Sequence, residues 1–229
     1  MISDVMTFLD RGPGWDFVLL ALPKTASTSL ERALAPYATT VIGSPPARKH
    51  LPARGFVHRM APALAAEGHP RESYELVTMF REPLAWLESW WRYRGREGSR
   101  RPTAGMSFED FAGLYLSGDD SAPVPQGRPA RFIQAGGVVA VDRVFSVDRS
   151  DVWAPWFAER LGVPVEFERR NASPGARAEL SAATREALER HFAAELAVWA
   201  RLATTGEWSG ARGTALPDLR SRQDPGGAQ

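Results

Sequence analysis

The chain has 229 residues, 44% hydrophobic and 24% charged, with no cysteine and a formal net charge of +1. At roughly 100–200 residues per domain that length suits one domain, and the missing cysteines exclude a disulfide scaffold, a thiol nucleophile and a thiolate zinc site. The near-neutral balance argues against a nucleic-acid binder, which needs a dominant basic field.

No apolar run reaches the ~18–20 residues of a membrane span, the longest lying around Phe17–Leu22. The opening MISDVMTFLD has no basic segment ahead of an apolar one, so no signal peptide is read and a cytoplasmic location is expected. Of the 28 basic residues only two are lysines, Lys24 and Lys49. In a chain that otherwise uses arginine, a retained lysine is read either as chance or as a place where a compact ammonium is wanted.

In chain order, Asp16–Leu22 (DFVLLAL) is a continuous apolar run, the pattern of a strand buried on both faces. Pro23–Ser29 (PKTASTS) is small and polar, and from Thr28 a helix is predicted, with Leu30, Ala33 and Leu34 on one face. Thr39–Ile42 reads as a short second strand, 43–54 as a loop carrying Lys49 and His50, and Gly55–Glu67 as a helix. Tyr74–Phe80 is a third strand. It leads through Arg81 and Glu82 into a helix that begins at Pro83 and continues over Leu84–Arg94.

Ser107 is placed to cap a helix running to Leu116, and Val138–Val141 and Val144–Val147 are strand candidates. Asp151–Leu161 is a helix closed by Gly162, and Ser181–Ala203 is a long amphipathic one. Alternating strands and helices predict an α/β protein with a central, mainly parallel sheet between two helical layers. Residues 1–208 form the single domain of this reading, and the Gly/Pro/Arg-rich 209–229 a disordered tail.

A buried strand, a tight polar loop and a helix start together make a seat for phosphate. Backbone N–H groups point into the loop and the helix dipole favours an anion there. Lys24 adds one positive charge, and Thr25, Ser27, Thr28 and Ser29 add hydroxyls. The nucleoside-triphosphatase loop G-x-x-x-x-G-K-[ST] is absent, since no glycine lies between Asp16 and Gly43, and Lys24 opens the loop instead of closing it.

The stretch Leu22–Leu30 (LPKTASTSL) resembles the 5′-phosphosulfate loop of the sulfotransferases that use 3′-phosphoadenosine 5′-phosphosulfate (PAPS). About 55 residues on, FREPLAWLES carries Arg81, Pro83 and Ser89, similar to the family's second motif of Arg, Pro two residues later and Ser eight residues later. The similarity extends, without specific motifs, through Val144–Asp148, the helix to Gly162, Asn171-Ala172-Ser173 and the final helix. It implies a P-loop-like sulfotransferase fold with PAPS as co-substrate and no metal. Lys24, Thr25, Ala26, Ser27, Thr28 and Ser29 would hold the 5′-phosphosulfate, and Arg81 and Ser89 the 3′-phosphate. Ala26 departs from the glycine that many members carry, and alanine resists positive φ.

Sulfuryl transfer to a hydroxyl or amine also needs a base, and histidine is the usual choice near neutral pH. His50 stands in the loop after the second strand, where related sulfotransferases draw a histidine base. His58, a carboxylate such as Glu82, or no side-chain base are the alternatives, whereas His69 and His191 are read as structural. Trp86, Trp90 and Trp91 are read as mainly core. The Arg92–Arg101 cluster is read as a solvated helix end rather than a clamp for an anionic acceptor.

The expected partner is a small-molecule or glycan acceptor, with neither nucleic acid nor membrane involved. Two other readings stay open. One is a silent nucleotide-binding or interaction protein on the same fold. The other is a divergent kinase, which would need carboxylates for Mg²⁺, with Asp148 the candidate.

Overall fold

The computed structural model describes residues 5–42, 50–96, 98–99, 103–118, 123, 127–167 and 178–217. Lys49, Arg100, Arg101 and the Asn171-Ala172-Ser173 stretch lie outside the described residues.

Eight strands and nine α-helices alternate along the described chain. They are β1 (Val5–Phe8), β2 (Phe17–Leu20), α1 (Ser27–Leu34), β3 (Thr40–Ile42), α2 (Ala53–Gly55), α3 (Ala61–Ala66), β4 (Glu75–Phe80) and α4 (Pro83–Arg94). Then come α5 (Phe108–Ser117), α6 (Pro129–Phe132), β5 (Gln134–Ala135), β6 (Val138–Val139), β7 (Arg143–Ser146), α7 (Ser150–Leu161), α8 (Ala182–His191), α9 (Ala193–Thr205) and β8 (Glu207–Ser209). A π-helical turn, Phe56–Met60, joins α2 to α3.

The central sheet has the order β3-β1-β2-β4-β7-β8. It is mixed, which corrects the expectation of a mainly parallel sheet. The β2–β4 and β4–β7 pairs are parallel, whereas β1–β2, β1–β3 and β7–β8 are antiparallel. For the β1–β2 pair the reason is connection length. A parallel partner requires a crossover of about a dozen residues or more. The turn from Phe8 to Phe17 is shorter than that and is braced by Asp16, whose carboxylate accepts the Asp10 and Arg11 N–H groups at 3.3 and 2.8 Å.

Helices cover both faces. Val18, Leu20, Leu76, Phe80 and Val144 pack on one side against Ala53, Phe56, Leu64, Val198 and Leu202 of α2, the π-turn, α3 and α9. Phe17, Leu19, Val77, Met79 and Phe145 pack on the other against Leu30 and Leu34 of α1 and Trp153 and Phe157 of α7. A third apolar cluster joins α4, α5 and α8 through Trp86, Leu87, Phe111, Tyr115, Leu188 and Phe192.

The predicted helix Ser181–Ala203 is two helices, because the chain breaks at Phe192 (φ −90°, ψ 21°). Part of the expected tail is packed: Ala211 is fully buried and the Val139 N–H donates to Thr214 O at 2.9 Å. No helix among the described residues is long and apolar enough to cross a membrane.

Candidate functional site

The first loop leaves β2 at the carboxyl edge of the parallel strands and ends at the start of α1. Both non-glycine turns that shape it have positive φ, 67° at Lys24 and 58° at Ala26. For an L-residue this region costs about 1–2 kcal/mol, and such strain persists only where the surroundings over-determine it. Successive backbone N–H groups in conformations of alternating hand converge on one side of the chain and form an anion-binding concavity. Ala26 is also the N-cap of α1 and makes no side-chain cap. The N-terminal dipole of α1 therefore faces the same concavity without a side-chain cap from Ala26.

The strain is held from outside the loop. Four consecutive carbonyls each accept a side-chain hydrogen bond. Thr78 Oγ1 donates to Leu20 O at 2.9 Å, His50 Nδ1 to Ala21 O at 2.7 Å, Thr25 Oγ1 to Leu22 O at 2.8 Å and Trp86 Nε1 to Pro23 O at 3.0 Å. Thr25 is 1% exposed, so its hydroxyl is a brace inside the loop, while Ser27, Thr28 and Ser29 stay half-buried on the first turn of α1.

Relief of the strain is measurable. Ala26→Gly should stabilise the fold by about 1 kcal/mol, because glycine takes φ > 0 without the Cβ penalty. Urea unfolding would show a higher midpoint at an unchanged slope, and an unchanged or lower midpoint would contradict a strained Ala26.

The Lys24 ammonium lies 4.0 Å from the Tyr93 ring centroid and 5.6 Å from that of Trp90. Burial, then the Arg96 and Arg81 guanidinium groups, push its pKa down to about 8. A lysine in this state gains more from a neighbouring anion than a solvated one does.

Arg81 follows the last residue of β4. Its Nε is buried and has no hydrogen-bond partner among the described residues, and burial lowers its pKa against the opposing pull of Asp148. Ser89 lies on α4. At 100° per residue, positions 86, 89, 90 and 93 share an arc of roughly 100°, so Ser89 is on the face that carries Trp86, Trp90 and Tyr93 towards the first loop.

His50 is brought to this loop from the far side of β3. Its φ of 75° is another non-glycine outlier, and Nδ1 donation to Ala21 O makes Nε2 the basic nitrogen of the neutral ring. The alternatives are placed differently. Glu82 is the N-cap of α4, its carboxylate accepting the Leu84 and Ala85 N–H groups at 3.1 and 2.7 Å, and His58 is exposed on the π-turn.

His69 stands 3.6 Å from Asp10, and His191 packs edge-on to Tyr115 with burial, then Arg128 and Arg131, lowering its pKa to about 4. Of the arginine cluster, Arg92 pairs with Glu88 at 2.6 Å, Arg94 lies over Trp90 and Arg96 over Tyr93. Asp148 is exposed beyond β7. Among the described residues no group of three or more His, Asp or Glu side chains is gathered as metal ligands.

Sequence reasoning missed Thr78, Trp86 and Tyr93. The signal for the last two was present: 86, 90 and 93 repeat at helical spacing just after Arg81, and this face turns to the loop while Trp91 turns away to donate to Met106 O at 2.9 Å. Comparison of the chain with protein-family models, with curated proteins and with solved structures finds no match.

Proposed function

We propose that the protein is a PAPS-dependent sulfotransferase on a P-loop-like sulfotransferase fold, acting on a hydroxyl or amine of a small-molecule or glycan acceptor. The observation that carries the reading is the first loop. A lysine, two positive-φ turns and an uncapped helix start converge beside a half-buried arginine whose buried Nε has no hydrogen-bond partner among the described residues. The resemblance of LPKTASTSL and of Arg81…Ser89 to the family's two motifs supports the same assignment.

In this mechanism the loop N–H groups and the hydroxyls of Ser27, Thr28 and Ser29 hold the 5′-phosphosulfate, and Arg81 with Ser89 holds the 3′-phosphate. The acceptor oxygen attacks sulfur as the bond from sulfur to the bridging oxygen breaks. Its proton passes to His50 Nε2, and 3′-phosphoadenosine 5′-phosphate departs with the bridging oxygen. Lys24 neutralises the charge that grows on that oxygen, the electrostatic role that dominates in phosphoryl transfer of the same in-line kind.

The test is metal-free calorimetric titration with 3′-phosphoadenosine 5′-phosphate, compared with ATP and Mg²⁺. The 3′-phosphorylated nucleotide should bind more tightly. Arg81→Ala should weaken it by about 2–5 kcal/mol, as expected when a buried charged contact loses one partner. A preference for ATP would favour the kinase reading, and no binding to either would leave an interaction protein.

A further inference from the structure

We propose that Trp86 is a positioning residue for Lys24: its indole N–H, donated to the Pro23 carbonyl, holds the peptide plane from which Lys24 departs. The functional meaning rests on the first loop being the donor site, but the positioning claim is tested on the free protein. The Pro23 carbonyl and the Lys24 N–H belong to one planar unit, so fixing the oxygen fixes the orientation in which the Lys24 backbone begins. Lys24 has φ 67° and, as a non-glycine residue, would relax to negative φ without a restraint.

Trp86 is suited to supply that restraint. It is 3% exposed, and its ring meets Trp90, Tyr115 and Phe192 edge-on, each with centroids 6.3 Å apart. The indole cannot swing from Pro23 without opening the third apolar cluster. Four and seven residues further along the same helix face, Trp90 and Tyr93 flank the Lys24 ammonium. One face of α4 thus fixes both the root and the tip of the lysine.

The charged groups acting on that ammonium are Arg81, before α4, and Arg96, after it. If the rooting hydrogen bond is lost, the side chain leaves this slot for solvent and titrates as an ordinary lysine.

The chain has only two lysines, so ¹³Cε-lysine labelling gives two NMR signals, assigned with Lys49→Arg. In the wild type Lys24 should titrate near 8, well below the ordinary 10.5. Trp86→Phe keeps an aromatic ring and removes the N–H. It should raise the Lys24 midpoint by ~1 unit or more while the Lys49 midpoint stays in place, and should weaken 3′-phosphoadenosine 5′-phosphate binding roughly tenfold.

Benzothienylalanine at position 86 keeps the shape of tryptophan with sulfur in place of N–H, so the test survives if the phenylalanine variant does not fold. An unchanged Lys24 titration in either folded variant overturns the proposal. If the wild type binds no 3′-phosphorylated nucleotide, the sulfotransferase reading falls, and the Lys24 titration still decides the role of Trp86.

Discussion

Glu195→Ala is expected to destabilise the fold by about 3–5 kcal/mol, the cost of leaving a buried charge without its partner. Glu195 is fully buried on α9, and its carboxylate takes a two-pronged hydrogen bond from Arg128, whose side chain is 8% exposed. It also accepts the Ala130 N–H at 3.1 Å, which ties the first turn of α6 to α9. For a domain of this size the loss corresponds to a fall in melting temperature of about 6–20 °C. The double replacement Arg128→Met with Glu195→Leu should recover most of it, because two apolar side chains need no pairing. A double variant as unstable as Glu195→Ala would show that the carboxylate acts through Ala130 rather than through the ion pair.

On the sulfotransferase function proposed above, Lys24→Met should lower kcat for sulfuryl transfer by about 10²–10³-fold, the usual effect of removing one preorganised stabiliser of developing charge. The pH dependence identifies the same group. Because the Lys24 pKa in the folded protein is about 8, kcat/KM, which reports free-enzyme ionisations, should fall as pH rises through about 8. Lys24→Arg stays charged, so its residual activity should lack that falling limb.

The sign for stability is opposite. Between about 8 and the ordinary lysine value of 10.5 the unfolded chain binds more protons than the folded one, so this lysine makes stability rise with pH across that window. A wild-type profile flat to pH 10 would remove Lys24 from the charge-stabilising role.

The parts of the fold that were legible in the sequence are those whose signal is local. The apolar run before Pro23, the Tyr74–Phe80 strand ending at Arg81, and the Ser107 and Gly162 helix boundaries each lie within a few residues of their cause. β1 was not, because the four residues VMTF are too short to establish a period, and with β1 went one of the two antiparallel edges of the sheet.

The break at Phe192 was hidden because Leu188, Phe192, Glu195, Val198 and Leu202 keep helical spacing across it. Nothing local marks Glu195 as buried, because its partner Arg128 is 67 residues away in the chain. At the site, Lys24 and the hydroxyls declared themselves by crowding into one short segment. The donors that hold their backbone come from Thr78 and Trp86, which no local pattern connects to residue 20 or 23.

The four clamped carbonyls also make the anion seat a late product of folding. Their donors reach across sequence separations of 58, 29, 3 and 63 residues, and only the Thr25 bond can form within the loop itself. The nine residues Leu22–Leu30, cut out or grafted onto another strand-and-helix pair, would relax to negative φ and lose the concavity. On the proposed reading, affinity for 3′-phosphoadenosine 5′-phosphate would therefore report whether β4 has paired with β2 and whether α4 has docked. During refolding it should return with the slowest structural phase, after the helical signal has already recovered.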